Sequence, residues 1–308
     1  MGIRHTLYRL KYRYGQHLPL KVPVDVSLEL ASHCNMRCAY CYHADQKNLG
    51  FTKDYMTLST ATVIIDQAAE FGVSSLKFNW KGESTLNPMF SRILHHAAKY
   101  NFVEKIINSN FKFTKRRDEI LEALCTLDKV KISFDSFRKD VFETQRAGGK
   151  WHITCDNINR FYNHPLRNKT KIVIQAVRTN LNKDEDIAGQ VRERWPEAEV
   201  SIRDMVSGRV DKDLTGLENK ERKGERQSCL QAHVRLIFNK EGYVFPCCPD
   251  IKEKMCFGNI WDEDIEGLFS RGRSLRKDLK NLSAFDRDPC KNCSSFETFV
   301  GYKPSWQS

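Results

Sequence analysis

Between residues 22 and about 204 the chain alternates short β-branched runs with helix-length amphipathic stretches, and this alternation restricts the fold more than any other feature. Residues 22–30 alternate apolar and polar positions as a strand does. Residues 75–80, 105–109, 129–134, 171–177 and 199–203 read as further strands. Residues 57–71, 88–100, 116–127 and 183–194 carry helical periodicity, the first with Thr57 or Ser59 placed to cap it. Strands separated by helices run parallel, because only a crossover of that length returns the chain to the same sheet edge. About six such units are visible, fewer than the eight of a full barrel. The expectation is an α/β fold: a partial (β/α)6 TIM-type barrel over residues 22–206.

The text changes after the barrel. Residues 207–228, SGRVDKDLTGLENKERKGERQS, are polar and charged and read as a linker. Beyond them, residues 234–238 and 243–246 resemble a hairpin about a turn at 239–242. A helix is expected at 264–280, and residues 229–308 form a small cysteine-rich module. Residues 1–21 are a basic arm. Arg4, Arg9, Lys11, Arg13 and Lys21 meet no acid before residue 25, although the whole chain carries only +11. Tyr8, Tyr12 and Tyr14 interleave these cations, a pattern compatible with RNA, anionic lipid or an acidic partner; the plainer expectation is a solvated arm.

No apolar run reaches the roughly 20 residues that span a bilayer, and no signal peptide is recognisable, so a cytoplasmic protein is expected. Eleven cysteines in such a chain point to metal binding or redox chemistry rather than disulfides. Three of them follow the first strand in ASHCNMRCAYCY, where Cys34, Cys38 and Cys41 are spaced C-x3-C-x2-C. A loop at the carboxyl end of a barrel strand is where such folds keep their chemistry. Three thiolates can bind one soft metal centre. An iron–sulfur cube takes four ligands, so one iron would be left open, whereas zinc would need a further ligand such as His33 or His43.

On these residues the chain resembles the radical S-adenosylmethionine (SAM) family. The resemblance implies a [4Fe–4S] cluster on Cys34, Cys38 and Cys41 whose open iron chelates SAM, with Tyr40 beside the adenine. Trp80-Lys81-Gly82-Glu83-Ser84 is similar to the family's glycine-glycine-glutamate-proline turn, where Gly82 and Glu83 would hold the SAM amino group; Lys81 and Ser84 depart from the usual residues. Ser133 and Asp135, at the end of the fourth strand, are similar to a stretch that reaches the ribose. Arg146, with Gly148 and Gly149, resembles the loop that follows in many members.

Downstream, Cys229, Gly242, Cys247, Cys290 and Cys293 are spaced as in the SPASM and twitch modules. The resemblance implies a second, auxiliary [4Fe–4S] cluster on Cys229, Cys247, Cys290 and Cys293; a four-cysteine zinc knuckle has the same ligand count. Cys248 and Cys256 are surplus there and are candidate hydrogen donors, while Cys125 and Cys155 read as packing residues. A fully ligated auxiliary cluster suits a two-electron oxidation. The reaction implied is reductive SAM cleavage, then hydrogen abstraction by a 5′-deoxyadenosyl radical from a small, sugar- or aminocyclitol-like, or peptidyl substrate. A flavodoxin- or ferredoxin-like reductant would supply electrons. The 33 residues before Cys34 are too few for a peptide-recognition domain, which tilts the expectation towards a small molecule. Epimerisation, peptide maturation, RNA modification and a non-enzymatic zinc or nucleic-acid module are the alternatives.

Overall fold

The computed structural model describes residues 2–45, 52–204 and 229–281, with Ser283, Cys290, Lys291 and Cys293. The expected linker at 207–228 lies outside the described residues. Six parallel strands, β1 (Asp25–Leu28), β2 (Ser75–Lys77), β3 (Glu104–Ser109), β4 (Lys129–Ser133), β5 (Lys171–Arg178) and β6 (Glu199–Asp204), pair in sequence order. β1 is buried along its whole length, as a central parallel strand covered on both faces must be.

Helices α1 (Ile3–Tyr14), α2 (Leu58–Glu70), α3 (Phe90–Ala98), α4 (Arg117–Leu124), α5 (Lys139–Gln145), α6 (Trp151–Tyr162) and α7 (Ile187–Arg194) accompany the six strands. Thr57 caps α2, its hydroxyl accepting from the Thr60 amide at 3.1 Å. The core joins sheet and helices through Leu28, Leu30, Phe78, Phe90, Phe134 and Trp195.

Three expectations need correction. First, the hairpin of the cysteine-rich module is not separate from the barrel sheet. After α8 (Leu230–Val234), β7 (Arg235–Phe238) pairs parallel with β1 over four residues, Asp25 opposite Arg235 through Leu28 opposite Phe238. β8 (Val244–Phe245) then closes an antiparallel hairpin, giving the order β6-β5-β4-β3-β2-β1-β7-β8. The boundary at 229 divides the sequence but not the sheet. Second, the helix expected at 264–280 is two, α9 (Ile265–Arg271) and α10 (Arg273–Lys280). They break at Gly272, where a side chain would meet the Phe257 ring at 2.6 Å.

Third, the N-terminal segment is no solvated arm. α1 lies across the N-terminal ends of the strands: Tyr8 donates to Glu104 at 3.2 Å, and the Tyr12 hydroxyl accepts from Arg235 at 3.1 Å. Arg235 and Lys77 both pair with buried Asp25. Tyr8 and Tyr12 are one helical turn apart on the same face, so the helix docks by those two rings and their hydroxyls.

Candidate active site

The loop after β1 is braced at several points. The amides of Arg37 and Ala39 donate to the carbonyls of Ala147 and Gln145, at 2.7 and 2.9 Å, and the Cys41 amide to the Cys38 carbonyl at 2.9 Å. Lys112 ties both sides, donating to the Asn35 carbonyl at 3.1 Å and that of Gly148 at 2.6 Å. Cys38 is buried, and Cys34 and Cys41 half-buried. Burial raises the Cys34 thiol well above its ordinary range, helped by the Glu83 carboxylate and by Cys38 and Cys41. Burial also raises Cys38 to about 11, opposed by the Arg146 guanidinium. These three thiols therefore share one pocket at the carboxyl end of β1.

The turn after β2 presses against that loop. A side chain on Gly82 would meet the Ala31 carbonyl oxygen at 2.2 Å and that of His33 at 2.3 Å, so only glycine fits. The Glu83 amide donates to the His33 carbonyl at 2.9 Å. The Glu83 side chain is buried and accepts four hydrogen bonds. The Thr85 amide and hydroxyl and the Ser109 hydroxyl reach Oε1 at 3.2, 2.8 and 2.9 Å, and the Asn110 amide reaches Oε2 at 2.8 Å. Burial raises its pKa while these donors hold it down. Glu83 thus joins the ends of β2 and β3 beneath the thiols. Lys81 fills the position where the family has glycine. It runs over the Trp80 ring, its ammonium 4.3 Å from the centroid, to pair with Glu253 and, at 3.4 Å, Glu29. Burial pushes Glu29 up to about 7 despite this cation.

Past the end of β4, Asp135 is fully buried. It accepts from Tyr40 and, at 2.9 Å each, from Arg146 and the Val177 amide. The Arg146 guanidinium lies 5.7 Å from the Tyr40 ring centre and 3.9 Å from the Cys38 sulfur. Asp135, Tyr40 and Arg146 therefore form one ion-paired wall beside Cys38, and Ser133 ends β4 below it. Sequence reasoning missed Asn110, whose side-chain amide reaches the Cys34 sulfur at 3.6 Å and Asn35 at 2.8 Å. A polar residue directly after β3, placed as Glu83 and Asp135 are after β2 and β4, was the signal for it. His43 donates its Nε2–H to the Lys81 carbonyl, 2.6 Å away.

A second group of thiols gathers beside α8. Cys229 precedes that helix; burial raises it to about 11, the amides of Ala232 and Gln231 lower it, and Cys293 and Cys248 raise it further. Cys247 is raised by burial and then by Cys229, Cys248, Asp250 and Cys293. Cys290 packs with Cys229 against Ala232 and Leu279, and its carbonyl accepts from the Cys293 amide at 3.1 Å. Cys248 is thus a fifth thiol of this group, and its carbonyl accepts from the Trp80 indole at 3.0 Å. Cys256 is exposed, its sulfur 3.6 Å from the Gly258 carbonyl oxygen. Cys155 is buried in the core and Cys125 packs against it. Among the described residues no three His, Cys, Asp or Glu side chains converge on a single-ion site. A cube offers a separate iron to each thiolate, so its ligands need not meet at one point.

Residues 229–294 match the SPASM family, an iron–sulfur cluster-binding domain. The proteins that this chain is similar to are radical SAM enzymes with SPASM-type modules. It is 25% identical over 301 residues to the antilisterial bacteriocin subtilosin biosynthesis protein AlbA of Bacillus subtilis (strain 168). That match takes in 88% of this chain and 64% of AlbA, so the chain spans less than two thirds of that relative's length. The fold is similar to BtrN crystallised with AdoMet and 2-DOIA, at a TM-score of 0.57 and 18% identity, covering 89% of this chain and 93% of that one. It is also similar to Streptococcus suis SuiB bound to the precursor peptide SuiA, at a TM-score of 0.68 and 14% identity, covering 96% and 73%.

Radical SAM proteins with this module bind SAM and [4Fe–4S] clusters. The side chains here suit such groups. Both sites are sulfur-rich, the donor type that soft iron–sulfur clusters take. Burial raises the Cys34, Cys38, Cys229 and Cys247 thiols, aided by Glu83, Asp135 and Asp250 at all but Cys229, and the positive charge of iron would act in the opposite direction. The barrel mouth offers three thiols and the module four or five, as an open and a closed cluster require.

Proposed function

We propose that the chain is a radical SAM oxidoreductase of dehydrogenase type acting on a small, sugar- or aminocyclitol-like, or peptidyl substrate. The observation that carries this reading is the pairing of a three-thiol pocket at the barrel mouth with a second thiol group that has enough ligands to close its own cluster. When bound, the reduced first cluster and SAM would supply a 5′-deoxyadenosyl radical able to take a hydrogen atom from substrate, and the auxiliary cluster would be the acceptor for the remaining electron.

Cys34, Cys38 and Cys41 would hold the first cluster, and Cys229, Cys247, Cys290 and Cys293 the second. Gly82 keeps the turn in contact with the cysteine loop, and Glu83 fixes it to β3; the turn's backbone and the carboxylate would hold the SAM ammonium. Asp135 holds Tyr40 and Arg146 together, an aromatic face and polar groups that would receive the nucleoside, with Ser133 beneath. An alcohol oxidised this way loses a hydrogen atom from carbon, one electron and the hydroxyl proton; a carbonyl is left. An external flavodoxin- or ferredoxin-like protein is the proposed source of electrons for SAM cleavage.

Cys248 supports a second reading, redox-neutral epimerisation, because its thiol joins the auxiliary group while its carbonyl is tied to Trp80 at the barrel mouth. In that case it would return a hydrogen atom to the substrate radical. The test is incubation of reduced enzyme and SAM with deuterated sugars, aminocyclitols and peptides. Deuterium appearing in 5′-deoxyadenosine with a product two electrons more oxidised is expected. A product at the substrate's oxidation level that has exchanged its deuterium for solvent protium would overturn the oxidoreductase reading in favour of epimerisation.

A further inference from the structure

α1 docks by Tyr8 and Tyr12, which leaves its opposite face outward. There Ile3, Leu7, Leu10 and Tyr14 recur at spacings of four, three and four, forming one stripe along the helix. They are 81, 51, 47 and 45% exposed, and Leu18, just past the helix, is 41% exposed. Half of the exposed large apolar side chains among the described residues lie in this one segment. At 100° per residue, Arg4 and Lys11 flank the stripe on one side and Arg9 and Arg13 on the other. None of the ion pairs among the described residues involves Arg4, Lys11 or Arg13.

The same character continues past the end of the helix. Leu18 lines a groove of about 270 Å³ together with Phe269 and four cations of α10, Arg273, Arg276, Lys277 and Lys280. α10 carries a single acid, Asp278. Burial and the neighbouring Arg273 push the Arg276 guanidinium down to about 10, as expected where cations crowd together.

We propose that α1 and the adjoining basic groove are a peripheral docking surface for an anionic lipid membrane. An apolar stripe bordered on both sides by cations is what an interfacial helix presents: the stripe enters the acyl boundary, and long basic side chains reach back to the headgroups. Two copies packed stripe to stripe would set cations against cations. A nucleic acid would pair with the cations but gain nothing from Ile3, Leu7 and Leu10. No described helix is long and apolar enough to cross a membrane, so the contact is superficial. Because α1 covers the N-terminal ends of the strands, the cysteine loop at their carboxyl ends faces away from the lipid and stays open to substrate.

The test is co-sedimentation of the full chain with vesicles of phosphatidylglycerol in phosphatidylcholine, against vesicles of phosphatidylcholine alone. Binding to the anionic vesicles is expected, weakened at least roughly tenfold by neutral lipid or high salt. The L7Q/L10Q variant and the R4Q/K11Q/R13Q variant should each lose at least roughly tenfold in partitioning. Leu7, Leu10, Lys11 and Arg13 are exposed and lie off the docked face, while Arg4 also donates to the Asn101 carbonyl at 2.8 Å, so thermal unfolding should be unchanged in L7Q/L10Q and nearly so in R4Q/K11Q/R13Q, which certifies the fold. Equal partition to both vesicle types, or binding that both variants retain, would overturn the proposal. So would a dimer dissolved by L7Q/L10Q, or salt-sensitive RNA binding without vesicle binding.

Discussion

The two thiol groups are built on opposite plans. At the barrel mouth one short loop supplies Cys34, Cys38 and Cys41, and the ends of β2, β3 and β4 brace it through Gly82, Glu83, Asn110 and Asp135. In the module the thiols come from separate segments, with Cys229, Cys247 and the Cys290–Cys293 turn brought together across more than sixty residues. Local construction gives a site preorganised by the sheet and able to leave one ligand position open. Assembly from distant segments couples the second group to the fold, because β7 sits between Cys229 and Cys247 and pairs with β1.

This contrast predicts unequal consequences of losing a thiol. Cys34→Ala should abolish SAM cleavage altogether, measured as 5′-deoxyadenosine released from reduced enzyme. Cys290→Ala should leave cleavage in place and stop product formation; full turnover by that variant would remove the division of labour. Gly82→Ala comes next, since the new methyl would collide with backbone oxygens that cannot move aside. SAM affinity should fall at least roughly tenfold, read by equilibrium dialysis, with the module's thiols unaffected.

A smaller effect concerns the junction between the two regions, where Lys81 joins Glu29 of the barrel to Glu253 of the module. Glu29 is raised to about 7 in the folded protein from an ordinary value of 4.5. The native state therefore holds a proton that the unfolded chain releases, and stability falls as pH rises between those values. Glu29→Gln should remove this dependence and stabilise the protein at pH 8, by up to about 3 kcal/mol, since Lys81 keeps Glu253 as its partner. Chemical denaturation at pH 5 and pH 8 reads the difference, and an unchanged pH slope would contradict it. The smallest effect is expected for Cys256→Ser: the thiol is exposed and turned towards the Gly258 carbonyl, so iron content and turnover should stay the same.

How much of this was legible in the sequence follows from how local each feature is. The six parallel strands and the Thr57 cap were readable, because period-2 and period-3.6 patterns and a hydroxyl before a helix are local signals. Gly82 and Glu83 were readable as a turn after a strand. The four donors that fill Glu83 were not, since they come from Thr85, Ser109 and Asn110 on two different strand ends. The pairing of β7 with β1 is a contact over some two hundred residues, invisible to any window of sequence. α1 was misjudged for a different reason. Its cations and tyrosines were weighed by composition, whereas the spacing of Tyr8 and Tyr12 and of Ile3, Leu7, Leu10 and Tyr14 already divided it into two apolar faces.

The central claim is two iron–sulfur clusters on separate thiol sets, and iron analysis with electron paramagnetic resonance tests it most directly. Three proteins are compared after anaerobic reconstitution: the parent chain, a Cys34→Ala/Cys38→Ala/Cys41→Ala variant and a Cys229→Ala/Cys290→Ala variant. The account predicts that each variant retains about four iron atoms, half of the parent's, and that only the second responds spectroscopically to SAM. Simultaneous loss of all iron in either variant, or colourless protein holding zinc in place of iron, would contradict it.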